Sequence, residues 1–159
     1  MGLEKITTME NANTVDILND LAAILNDRIE GYTKAKNELE GKEPDLNQLC
    51  LDLIDESRTL RMELGTEVQA LKGETETDTT QRGKVYRVWM DIKAVFTGAD
   101  RHAVLAACEY GEDAAQKAYK AALAEEELPA NLRSLIETQK QTLRASHDKV
   151  KALRDAAAA

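Results

Sequence analysis

The stretch "GETETDTTQRGKVYRVWMDIKAVFTG", residues 73–98, decides which helical fold the chain can adopt. Its opening "GETETDTTQRG" carries no apolar side chain, so it has nothing to bury and reads as a linker. The two glycines there lack the GxxxxGK[ST] spacing of a phosphate loop. From Lys84 the pattern changes, and Val85, Val88, Trp89, Ile92 and Phe96 fall on one face of a short helix. Linker and short helix together make a connection of about 27 residues, long enough to travel the length of a helical bundle.

Two pairs of long helices flank this connection. Leu18, Leu21, Leu25, Ile29, Tyr32 and Leu39 keep helical spacing up to Gly41, and Thr14 is the expected N-cap. That leaves residues 1–13 as a disordered segment ahead of one domain spanning residues 14–156. After the turn "GKEP", Pro44 suits the first turn of a second helix, which carries Leu46, Leu49, Leu53, Leu60, Leu64, Val68 and Leu71 before Gly73 stops it. Asp100 is placed to cap a third long helix reaching about Glu127, and "LPAN" turns the chain into a fourth that bears Leu132, Leu135, Ile136, Leu143, Val150 and Leu153. Short joints within each pair make antiparallel hairpins. The expected fold is therefore all-α, a ferritin-like four-helix bundle with one long crossover that contains an additional short helix.

Composition narrows the function. A net charge of −8 repels phosphate backbones and anionic lipid, which argues against nucleic-acid and membrane partners. No apolar run reaches the length of a membrane span, and Cys50 and Cys108 lack CxxC spacing, so they read as buried thiols in a cytoplasmic protein. Trp89 and Phe96 on the crossover helix either cover the bundle or form a homodimer contact. No Ser-His-Asp or Cys-His constellation can be assembled, which weighs against an enzyme.

The chemistry is concentrated in "CEYGEDAAQKAY", Cys108–Tyr119, where Glu109 and Glu112 share the stripe of Leu105 and Tyr119. Buried carboxylates are costly unless something pairs with them. At about 1.5 Å per residue, Glu30 lies roughly 24 Å along its helix. Counts from the joints bring Glu56, Glu109 and His147 to the same height, with Glu112 and Arg144 about one turn away. Two readings follow. In one, the layer is a degenerate metal site, with His147 and Glu109 or Glu112, and Glu56, holding one iron, manganese or zinc ion. In the other it is an internal salt-bridge layer, Glu112 with Arg144 and Glu109 with His147, in a scaffold or partner-binding bundle without metal.

The pieces "LNDLAAILNDRIEGYTKA", "VWMDIKAVFTGADRHAVLAACEYGEDAAQKAY" and "LRASHDKVKALRD" resemble an uncharacterised bacterial family of ferritin-like four-helix-bundle domains of unknown function. The resemblance runs from about Thr14 to Asp155. It implies the ferritin-like fold and a metal role, with the family's ligand positions falling on Glu30, Glu56, Glu109 or Glu112, and His147. The chain departs from the two-metal pattern, a Glu-x-x-His on each of two helices, at Thr59 and Arg144. An arginine inside such a cavity would repel the ions, so oxidase or iron-storage activity is not implied.

Overall fold

A computed structural model describes residues 2–39, 41–74 and 101–157 of the chain. They form four helices, α1 (Gly2–Leu39), α2 (Pro44–Ala70), α3 (Arg101–Leu123) and α4 (Ala130–Ala156), with no strand among the described residues. The short helix expected around Val85–Phe96, the Asp100 cap and the homodimer contact through Trp89 and Phe96 all lie outside the described residues.

Two boundaries differ from the sequence reading. Helix α1 begins at Gly2, so residues 2–13 are helical rather than disordered, and Thr14 is a buried residue inside the helix instead of its cap. Nothing between Gly2 and Thr14 breaks a helix; a threonine caps only where the chain before it leaves helical geometry. Helix α3 stops at Leu123, ahead of the expected Glu127.

The turns follow local chemistry. Pro44 starts α2, where its missing N–H costs no hydrogen bond, and Gly41 takes the positive φ of 77° in the preceding turn. At the other end of α2, Gly73 N–H bonds Val68 C=O at 2.9 Å and Lys72 N–H bonds Gln69 C=O at 2.9 Å. These two bonds make a Schellman closure in which Lys72, at φ 60°, holds the left-handed position. Gly73 is needed for a different reason. A Cβ there would sit 2.7 Å from a methyl of Val15, so the chain packs directly on α1.

Buried residues on α1 recur at alternating steps of three and four, Leu18, Leu21, Leu25, Arg28, Tyr32, Ala35 and Leu39, the spacing of a bundle seam. Their partners define the helix directions. Arg101 at the start of α3 bonds Glu43 and Asp45 at the start of α2, so these two helices begin at the same end. Gln139 and Ser146 of α4 reach Leu60 and Glu56 of α2 in reverse order, so α4 runs against α2. Arg154 of α4 meets Glu109 of α3 while Arg133 meets Leu123, which sets α4 against α3 as well.

The apolar interior falls into two clusters. One gathers Tyr32, Leu39, Leu46, Leu53, Cys108 and Val150. The other gathers Leu18, Leu25, Leu60, Leu64, Tyr119 and Leu143. On α2 and α4 the change from one cluster to the other falls at a buried polar residue, Ser57 and Ser146, and the buried Arg28 on α1 and Glu112 on α3 lie within about a turn of it. A polar layer therefore crosses the bundle between two apolar halves.

Candidate functional site

Arg28 is the centre of that layer. It lies on the seam of α1 and is 1% exposed, so its guanidinium must find partners inside the protein. Nε and Nη2 donate side by side to the two oxygens of Glu112, at 2.8 and 3.2 Å. Nη1 donates to Ser57 Oγ at 2.8 Å and lies 3.0 Å from Glu56 Oε1. The Tyr32 hydroxyl donates to Glu112 Oε1 at 2.5 Å, and the Tyr32 ring lies 5.5 Å from the guanidinium carbon. Ser146 Oγ closes the layer from α4, 2.9 Å from each oxygen of Glu56. All four helices contribute, and every charge is met by an opposite charge or a donor.

Electrostatics agree with this arrangement. Burial works against a charged Arg28, but the adjacent Glu112, with Tyr32 and Glu56, more than offsets it and holds the guanidinium firmly protonated. Burial, followed by the Glu112 charge, drives the Tyr32 phenol well above its usual pKa. Burial pushes the Cys50 thiol up to about 12, and burial with Cys50 and Glu112 nearby raises Cys108, so neither is a reactive thiolate.

A second cluster lies beside the layer, between α3 and α4. Glu109 and Asp113 are one turn apart on α3 and share a face. His147 of α4 is 6% exposed, and its Nε2 lies 2.6 Å from Asp113 Oδ1 and 3.9 Å from Glu109 Oε1. One ligand atom from each of these three residues lies within 4.8 Å of the other two. The other ring nitrogen, Nδ1, lies 3.0 Å from Asp148 Oδ1, so a carboxylate backs the imidazole and orients it. The hydrogen bond with His147 keeps the Asp148 carboxyl below the usual aspartate range, with a smaller contribution from the Arg144 charge. On the far side of Glu109, Arg154 Nη1 bonds Oε2.

Of the residues expected at the site, Glu112 and Glu56 belong to the arginine layer, and Glu109 and His147 to the second cluster. Glu30 is exposed. The seam on α1 continues through Arg28 instead of Ile29, which turns Glu30 outward. The expected pair between Arg144 and Glu112 does not form. Arg144 is 61% exposed and bonds Asp148, four residues on in its own helix, at 3.1 Å, and Glu112 takes its cation from α1. Position 144 falls off the α4 seam of Leu132, Ile136, Gln139, Leu143, Ser146 and Val150, so its side chain points away from the core. The expected contact of His147 with Glu109 is present at 3.9 Å, with Asp113 closer.

The residues missed were Arg28, Asp113, Asp148 and Arg154. Arg28 carried a legible signal, because it stands at the one seam position of α1 between Leu25 and Tyr32. Asp113 also had one, four residues after Glu109. Thr59, which departs from the two-metal pattern, is exposed, and with Glu56, Glu63, Gln139 and Thr142 it lines a cleft of about 320 Å³ between α2 and α4.

No curated protein matches the chain. A family model described as "Domain of unknown function (DUF2383)" matches residues 13–125, which covers α1 from Asn13 onward, α2 and α3 with the Arg28–Glu112 pair. The chain belongs to this family, a helical-bundle domain of unknown function.

Proposed function

We propose that this protein is a ferritin-like bundle that binds one divalent metal ion through Glu109, Asp113 and His147, beside a central layer whose cation is Arg28. Support for the ferritin-like path comes from α2 and α3 starting at the same end, as a long traverse between them requires. The central layer does not fit a two-metal centre. The carboxylates of Glu56 and Glu112 are already bonded by Arg28, Ser146 and Tyr32, and a guanidinium between them repels added cations.

The observation that carries the metal reading is His147. Its Nε2 faces two carboxylates from one turn of α3 while Asp148 backs Nδ1, which is how metal-ligating histidines are held. One imidazole with two carboxylates suits iron, manganese or zinc over calcium, which takes oxygen ligands throughout. An ion bound there takes the place of the direct contact between His147 Nε2 and Asp113 Oδ1. The role assigned is binding, with no reaction, and free buried thiols at Cys50 and Cys108 accord with a cytoplasmic setting.

The test is elemental analysis of protein purified without chelator or affinity metal, then reconstituted with Zn²⁺, Mn²⁺ or Fe²⁺. Near one equivalent is expected. His147→Ala and Asp113→Asn should lose it, while Glu56→Gln should keep it. Negligible metal after reconstitution defeats the reading.

A second reading, a scaffold or partner-binding bundle without metal, is favoured by one observation. Glu109, Asp113 and His147 already satisfy one another together with Asp148 and Arg154. On that reading the three ions leave the melting temperature unchanged.

A further inference from the structure

The Glu109–Asp113–His147 cluster contains one group that no metal site needs. Arg154 stands in the last turn of α4, and Nη1 bonds Glu109 Oε2 while Nε and Nη2 hold Asp155 Oδ1 at 3.1 and 2.8 Å. Glu109 is thus shared. Oε1 faces His147, and Oε2 is held by a permanent cation. An ion entering between Glu109, Asp113 and His147 must either take Oε2 from Arg154 or bind with a guanidinium on the same carboxylate. In the first case a charge-assisted hydrogen bond is given up, and in the second the two cations repel.

We infer that Arg154 is a tethered competing cation that sets the metal affinity of this site, holding Glu109 until a divalent ion displaces it or shares the carboxylate. The inference rests on the metal reading above and assigns its regulation. Arg154 is suited to the role because it is partly exposed, so it can swing into solvent without leaving a buried charge, and Asp155 gives it a second partner when it does. Arg28 is not suited, since it is enclosed on every side by its partners.

The experiment is Zn²⁺ titration by calorimetry of the full chain and three variants, Arg154→Gln, Arg154→Lys and His147→Ala, each first checked for a wild-type urea midpoint. Arg154→Gln should bind Zn²⁺ about tenfold tighter or more, because the competing charge is gone. Arg154→Lys, which keeps the charge but loses the planar fork, should stay within about threefold of wild type. An unchanged or weaker affinity in Arg154→Gln overturns the inference while the metal reading stands, provided His147→Ala still abolishes binding. If His147→Ala binds as wild type does, the metal reading fails and the inference fails with it. Should Arg154→Gln not fold, Arg154→Met, which keeps the aliphatic stem without the charge, takes its place: tighter Zn²⁺ binding is again expected, and an unchanged or weaker affinity overturns the inference.

Discussion

Replacing Arg28 by methionine leaves Glu112 buried with the Tyr32 hydroxyl as its remaining donor, and leaves Ser57 and Glu56 without their cation. Breaking a buried pair from one side costs about 3–5 kcal/mol, because the abandoned charge has no water to return to. Arg28→Met should therefore lose that much in urea unfolding. Arg28→Met/Glu112→Leu should recover most of it, since two apolar residues of similar volume no longer require desolvated charges. Recovery that fails to appear would mean the layer adds net stability beyond satisfying its own charges. Arg144→Ala is the control. Its pairing with Asp148 is exposed and within one helix, so a change below about 0.5 kcal/mol is expected. At this scale the sequence was partly legible: it located buried carboxylates on α3, Glu109 and Glu112, and Tyr32 on an inner stripe. It did not identify the cation. Two arginines were available at roughly the same height, and only the seam register distinguishes the buried one from the exposed one.

Element ends show the same division between local chemistry and context. Pro44 at the start of α2 and the turn around Pro129 follow from residue type alone. The close of α2 does not, because the left-handed position falls on Lys72 instead of the glycine beside it. Gly73 is held where it is by its approach to Val15 on α1, a contact no local rule anticipates. A non-glycine residue at positive φ carries a strain that glycine avoids. Lys72→Gly is accordingly expected to raise stability by up to about 1 kcal/mol, read as a shifted urea midpoint with an unchanged m-value. A lower midpoint would show that the unfolded-state entropy of glycine outweighs the relief of strain.

Across the whole molecule, one pair that ties α3 to α2 at a bundle end, Arg101–Asp45, and two pairs of neighbouring residues within α4 link stability to pH. Arg101 holds Asp45 below the usual aspartate value, the His147 hydrogen bond does the same for Asp148, and Arg154 for Asp155. A depressed folded-state pKa means that the unfolded chain binds protons more readily in this range. The stabilisation is complete above the ordinary aspartate pKa of about 3.9 and is lost as pH falls through the lower folded values. The melting temperature should hold level down to about pH 4 from these pairs and fall below it. Asp45→Asn should flatten part of that fall, and an unchanged acid limb in this variant would refute the assignment. The carboxylate of each pair is exposed, so the effect per pair is small.

The four long helices among the described residues, the short joints within each pair and the presence of charge inside the bundle were written in apolar spacing, prolines and glycines. Those features depend on neighbours a few residues away, which is why one chain in isolation determines them. The partner of each buried charge was decided only by tertiary packing. A turn of uncertainty in height, about 5 Å, and about 100° of rotation per residue are enough to exchange Arg144 for Arg28 and Glu112 for Asp113. Hydrogen bonds act over about 3 Å, and no count along a helix reaches that resolution.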